Sequence, residues 1–311
     1  MKEMMKIFSA LGTVNRITLP LSGSADKERV SVLLDDIEDM VESMDDRMSV
    51  FKSDSEISAV NAASGENTVP VSSDTFEIVK AARHYSEITG GAFDITTRPL
   101  SQLWGIGKKG AFIPGRREIK SARSLVGYKG IITKITDESQ YEIGLSKKGQ
   151  QIDLGSIAKG AAADRAAGML REEGLTDAII DFGGTVVVLD VEHKVGICDP
   201  AGRSAGPVWT LKTAGKAVVT SGSYEKSFMK NGVLYHHIID PRTGMPARND
   251  IAGVTLTGGS ALELDALSTA VFIEGIEKGY ELMRANGTEG LFILRNGNMF
   301  ATKGVKNGEI I

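Results

Sequence analysis

The stretch QIDLGSIAKGAAADRAAGMLREEGLTDAIIDFGGTVVVLD, residues 151–190, reads as three elements in a row. Gln150–Leu154 has strand character. A Gly155-Ser156 turn follows, and the Ala-rich run from Ser156 to Glu173 reads as a helix closed by Gly174. Ala178–Asp190, rich in Ile and Val, reads as a strand interrupted by Gly183-Gly184. The next segments decide the fold class. Val195–Cys198, Trp209–Thr213 and Ala217–Thr220 are further strand-like runs with no helical pattern between them. A doubly wound sheet places a helix after each strand, so the expectation is α+β, a mixed α/β unit without regular βαβ alternation.

Upstream, residues 6–19 are rich in Ile, Val and Thr and predict a strand. Ser24 opens a helix in which Val30, Leu33, Leu34, Ile37, Met40, Val41, Met44 and Met48 recur at helical spacing. Its methionines belong to a core. Ser53–Asn67 is a polar connection, and Asp74–Thr89 a helix stopped by Gly90-Gly91. Ala92–Gly110 is irregular, and loops of that length in compact domains usually carry function. Arg116–Ser124 forms a short helix, with strands at Ile131–Thr136 and Tyr141–Leu145.

Downstream, Leu234–Ile239 alternates and runs into Asp240-Pro-Arg-Thr-Gly244, a turn signature. Ile251–Thr257 is a strand, Leu262–Asn286 a helix with a break at Gly275, and Leu291–Arg295 with Met299–Thr302 a closing hairpin around Asn296-Gly297-Asn298. With no repeat, low-complexity tract or linker, residues 1–311 form one unit.

Composition narrows the classes. The 311 residues are 41% hydrophobic and 24% charged, enough to bury a core, which excludes disorder as the main state. Lys+Arg 36 against Asp+Glu 40 gives −4, which argues against a nucleic-acid partner held by a basic surface. Cys198 is the one cysteine, so no internal disulfide or CxxC site exists. No run reaches the ~18 apolar residues of a membrane span. The N-terminus has no apolar core before Asn15 and Arg16, so the expected location is cytoplasmic as written, or membrane-anchored or periplasmic if a leader was trimmed.

Several constellations carry chemistry. Asp153-Leu-Gly-Ser-Ile-Ala-Lys159-Gly160 places a turn and a lysine at a helix start, which is either an anion site or an ordinary capped helix with a solvated lysine. The Walker A spacing is absent. Asp265 and Thr269 share a helix face at i and i+4; together they suit a hard cation such as Mg²⁺, or are an exposed Asp and a Thr bonded back to its helix. His236 and His237 are adjacent on a strand and point to opposite faces, so they do not serve one metal. One of them is an acid/base candidate, or both are half-buried strand residues before a turn. Gly183-Gly184 is a bulge or a close backbone approach to a ligand, and Thr220-Ser-Gly222 lines a pocket or turns.

The order of these segments is more specific than any one of them. Ser49-Val-Phe51-Lys52 with Ser55-Glu56 and Asn61, Gly91-Ala-Phe-Asp94 with Pro99-Leu100 and Leu103-Trp-Gly, Asp153-Leu-Gly-Ser-Ile-Ala-Lys-Gly, Gly183-Gly184, Thr220-Ser-Gly, His237-Ile-Ile-Asp-Pro-Arg-Thr-Gly and Asp265-Ala-Leu-Ser-Thr269 follow one another. In this the chain resembles the ApbE family of FAD:protein FMN transferases over nearly its whole length. The resemblance implies a T-fold-like single unit whose two subdomains flank a flavin cleft. It implies Mg²⁺-dependent cleavage of FAD, with FMN joined by a phosphoester to a Thr or Ser of an acceptor flavoprotein and AMP released. An FAD pyrophosphatase and a non-catalytic flavin-binding protein are the alternatives.

By the same resemblance, Asp265, Thr269 and the backbone carbonyl of Ser156 hold Mg²⁺. Asp153 and Lys159 face the nucleotide. Ala92, Phe93 and Asp94 match a further FAD-contacting segment, Leu11 and Phe51 match apolar or aromatic contacts, and Ile238 touches the flavin. His237 activates the acceptor hydroxyl or neutralises developing charge, Asp265 is catalytic through its metal, and His236 faces away. Arg98 departs from the family pattern, which has a small residue before Pro-Leu.

Overall fold

The computed structural model describes residues 2–21, 26–137, 140–224, 226–305 and 309–310. Its centre is an eight-stranded sheet: β1 (Lys2–Ala10), β2 (Thr13–Leu21), β3 (Ile179–Phe182), β4 (Thr185–Val188), β5 (Lys216–Gly222), β6 (Ile251–Gly258), β7 (Glu289–Leu294) and β8 (Met299–Ala301). The strands lie side by side in chain order and every neighbouring pair is antiparallel. The expected α+β class holds for that reason: the helices are inserted between strands of a meander.

Among the described residues seven α-helices accompany the sheet: α1 (Asp26–Met48), α2 (Glu56–Ala62), α3 (Ser73–Ile88), α4 (Arg98–Trp104), α5 (Arg116–Ser124), α6 (Ala158–Glu172) and α7 (Ala261–Ala285). The apolar stripe of α1, with Ala162, Ala163, Ala166 and Ala167 of α6 and the buried face of α7, packs on one face of the sheet. On the other face, Val195, Ile197, Trp209 and Leu211 of strands His193–Cys198 and Pro207–Thr213 cover Val188, Val218, Leu291 and Ile293. A third core of Leu100, Trp104, Tyr235 and Ile239, lined by Ile113, Ile119 and Phe228, forms a separate lobe from α4, α5 and the 227–240 strands.

Four expectations are corrected. Residues 6–19 are a hairpin, because Leu11 (φ 54) and Gly12 (φ 71) both take the positive φ of a two-residue turn. Leu carries no turn signal, so the break is invisible in composition. Gln150–Leu154 joins no sheet; the Asn61 side chain brackets Ile152, donating to its carbonyl (2.9 Å) and accepting from its amide (2.7 Å), and the Asp153 amide goes to Ile95 O (2.9 Å). The Ser53–Asn67 connection contains α2, capped by Ser55 Oγ accepting from Ser58 N at 3.0 Å. Ala92–Gly110 contains a 3₁₀ turn, Ile95–Thr97, and α4. The position of Ser24 lies outside the described residues. The break expected at Gly275 is present (φ 83, ψ −175) inside α7, and Asn249 Nδ2 takes up the Phe272 carbonyl at 2.5 Å.

Candidate functional site

The start of α7 is fixed by α6. The Asp164 carboxylate accepts from Ala261 N (2.8 Å), Leu262 N (3.0 Å) and Ser260 Oγ (2.8 Å), a negative charge set on the positive end of the α7 dipole. One turn earlier on α6, Gly160 lets the two helices touch backbone to backbone. A Cβ there would lie 2.6 Å from the Ala261 carbonyl carbon and 2.7 Å from Leu262 Cα, and still closer to the Ala261 oxygen.

That approach joins the two segments singled out in the sequence. Gly160 N donates to Asp265 Oδ2 at 3.0 Å, and Lys159 Nζ lies 3.6 Å from the same oxygen. Asp265 is only 5% exposed. One residue more of α-helix would send the Gly160 amide to Ser156 O; its diversion to Asp265 leaves that carbonyl without the intrahelical partner. Ser156 itself does not cap the helix, which begins at Ala158 with its turn amides held by Leu154 O. Thr269 Oγ1 donates to Asp265 O (3.3 Å), one turn along the same face, so its lone pairs stay available. Asp265 offers a carboxylate at this junction, Thr269 a hydroxyl one turn further along α7, and Ser156 a carbonyl four residues before Gly160, all hard oxygen donors. Among the described residues no group of three or more His, Cys, Asp or Glu offers another metal site.

Around this centre, Lys159 Nζ donates to Gly155 O (3.1 Å) and closes the Gly155-Ser156 turn. Asp153 Oδ1 accepts from Gly155 N (3.0 Å) and its Oδ2 from Arg98 (3.2 Å). Arg98 also donates to Val50 O (3.1 Å), and its guanidinium carbon lies 5.5 Å from the centroid of Phe51. The Phe51 ring is 80% exposed, while the Arg98 side chain is 12% exposed. Arg98 therefore ties three segments together beneath an exposed aromatic face. Its sequence signal was only a departure from pattern.

Ala92 and Phe93 are in the core. The Asp94 carboxylate accepts from Thr96 N (2.8 Å), Thr96 Oγ1 (2.6 Å) and Tyr128 N (2.9 Å), and burial pushes its pKa up against those bonds. These side chains shape the segment from within the fold. Leu11 is half-buried at the β1–β2 tip, and Ile238 is buried with its carbonyl on Ala247 N (2.9 Å). Gly183-Gly184 is the β3–β4 turn and not a bulge; a Cβ on Gly183 would meet Thr13 Cβ at 2.9 Å. Ser221 Oγ and Ser268 Oγ pair at 2.8 Å, and Ser268 Oγ also donates to Asp265 O (3.2 Å). Sequence reasoning missed Asp164, and it missed the partners of Asn61, Ser221 and Ser268, three residues inside its own motifs, since each acts through a residue far away in the chain.

The two histidines part as expected. His237 is half-buried; its amide (3.1 Å) and Nδ1 (3.3 Å) both meet Lys226 O. A carbonyl only accepts, so Nδ1 carries a proton in this contact. His236 is fully buried, Nε2 on Ala247 O (3.0 Å), its ring edge-on to Phe272. Burial lowers its pKa to about 4. The unfolded chain takes up that proton near pH 6.5, so stability is lost as pH falls from about 6.5 to about 4, on the order of 3 kcal/mol in full. Thermal unfolding across that range will show the loss, and His236→Gln, which keeps a donor for Ala247 O, will flatten it; an unchanged slope refutes the assignment.

Known proteins share this architecture. The sequence pattern described as the ApbE family matches residues 11–292. The FAD:protein FMN transferase of Treponema pallidum (strain Nichols) is 30% identical over 98% of this chain and 88% of its own length. That of Klebsiella pneumoniae (strain 342) is 32% identical over 83% of this chain and 80% of its own length. The crystal structure of the ApbE protein of Thermotoga maritima superposes with a TM-score of 0.85 at 30% identity, covering 98% of both chains. The flavin transferase ApbE of Vibrio cholerae gives 0.83 at 27% identity, again over 98% of each. The family pattern spans residues 11–292 and the fold is shared over nearly the whole length, so the chain belongs to the ApbE family.

Proposed function

We propose that this protein transfers the FMN portion of FAD to a Ser or Thr hydroxyl of an acceptor flavoprotein and releases AMP. The observation that supports the reading is the Gly160–Asp265 junction, a buried carboxylate beside a lysine at a helix start, with Thr269 one turn along α7 and Ser156 four residues before Gly160. Mg²⁺ held by those three oxygens would neutralise charge on the pyrophosphate.

The chain's own groups do the rest. Lys159, beside the N-terminus of α6, offsets phosphate charge. Phe51, backed by Arg98, offers its open face to the adenine. His237 Nε2 takes the acceptor hydroxyl proton as the oxygen bonds to the FMN phosphorus; the bond from that phosphorus to the bridging oxygen breaks, and its electrons leave with AMP. On this reading FAD lies between the sheet-and-helix body and the α4–α5 lobe.

Incubation with FAD, Mg²⁺ and an acceptor domain carrying Asp-x-x-Ser/Thr-Gly-Ala-Ser/Thr will yield AMP and acid-stable flavin fluorescence on the acceptor. His237→Ala will lower transfer by about 10²–10⁴-fold. AMP at the same rate with or without acceptor would mean a pyrophosphatase, and bound but intact FAD a non-catalytic protein. Arg98→Ala frees Asp153 and the Val50 carbonyl and removes the support under Phe51, so the FAD Kd measured by fluorescence titration will rise about tenfold; Arg98→Lys will restore little, since a lysine lacks the planar fork.

A further inference from the structure

The lobe that carries His237 is charged unlike the rest of the molecule. Residues 99–126 hold six Lys or Arg against Glu118 alone, and residues 226–245 three against Asp240 alone, on a chain whose total is −4. Lys108, Lys109, Arg116, Arg117, Lys226 and Lys230 are all exposed, and among the described residues none of them pairs with a carboxylate. Lys226 connects this surface to the site: its backbone carbonyl holds His237, and its side chain lies over Gly107, where a Cβ would come within 3.1 Å of Lys226 Cγ.

Helix stability does not account for the pattern. Arg116 and Arg117 occupy the first turn of α5, the positive end of its dipole, where cations are disfavoured. The same two segments expose Phe112 (48%), Met229 (63%) and Val233 (42%). Unpaired cations interleaved with exposed apolar side chains describe a surface built to be covered by a protein of opposite charge.

We propose that this basic lobe docks the acceptor flavoprotein through an acidic face around its target hydroxyl. The inference rests on the transferase reading above, and that reading explains why the partner is a protein: the acceptor oxygen must reach His237, which hydrogen-bonds the backbone of Lys226 in this lobe. Charge steers the encounter and sets the register, and the exposed apolar residues supply the contact that holds it.

The test is K108E/K109E/R116E/R117E, measured for flavin transfer and for AMP release without acceptor. The two glutamates at the start of α5 favour its dipole, so the fold is retained. Transfer kcat/KM will fall by about tenfold or more, through KM, while acceptor-free AMP release stays at the wild-type rate. Raising NaCl will slow wild-type transfer steeply and the variant's little. Changing Asp and Glu beside the acceptor's target hydroxyl to Asn and Gln will slow the wild-type enzyme and leave the variant unaffected. Unchanged transfer overturns the proposal, as does an equal fall in acceptor-free AMP release. Charge-dependent binding to phosphatidylglycerol vesicles with transfer unaltered overturns it in favour of a membrane. Wild-type enzyme that forms no AMP under any condition sinks the transferase reading itself.

Discussion

Asp265→Asn will lower both AMP release and flavin transfer by about 10³-fold or more while leaving the protein folded. The substitution separates charge from shape. Asn keeps an oxygen for the Gly160 amide, so the α6–α7 junction survives, whereas Asp265→Ala would leave a buried donor unsatisfied and confuse the outcome with misfolding. What is removed is the one carboxylate of the proposed Mg²⁺ set and the counter-charge of Lys159. With two neutral oxygens left, Mg²⁺ affinity falls sharply, and added Mg²⁺ recovers little rate. The checks are AMP by chromatography across a Mg²⁺ series and an unfolding midpoint close to wild type. A variant with near-normal rates at ordinary Mg²⁺ would end the proposed metal assignment.

Gly160→Ala will be strongly destabilising. Its Cβ would press on the Ala261 carbonyl and Leu262 Cα, backbone atoms that Asp164 already pins by three hydrogen bonds. Neither side yields by a rotamer change, so the helices must separate, at about 3 kcal/mol or more of stability. Separation also draws the Gly160 amide away from Asp265. Activity therefore falls together with the urea midpoint. Gly168→Ala on the same helix, where nothing lies within 4 Å of the added atom, is the control and will be neutral or slightly stabilising. Equal behaviour of the two variants would show that close approach at Gly160 is unimportant.

Much of this was legible in the sequence, because periodicity and the Gly275 break report local structure. The helix at Leu262–Asn286 and the closing hairpin came out within a residue or two. The errors lie where backbone satisfaction comes from afar. Gln150–Leu154 looks like a strand because it is apolar and extended, yet its hydrogen bonds go to the Asn61 side chain and Ile95. Of the site, the segments at 153–160 and 265–269 were visible as spacing. Their meeting depends on Gly160, whose role is to be absent as a side chain, and on Asp164, a carboxylate in an Ala-rich helix. Arg98 could be placed neither in solvent nor on a ligand from sequence; its partners Asp153, Val50 and Phe51 are 55, 48 and 47 positions away, respectively.

The meander has a consequence for synthesis. Strand β2 ends at Leu21, but its neighbour β3 begins only at Ile179. At ~5–20 residues per second, a ribosome needs roughly 10–30 s to deliver that partner. Throughout that interval the nascent chain carries an open ladder edge at Asn15–Thr18, the kind of template on which another newly made copy would pair, so crowded translation at high expression should favour inclusion bodies seeded by the first hairpin.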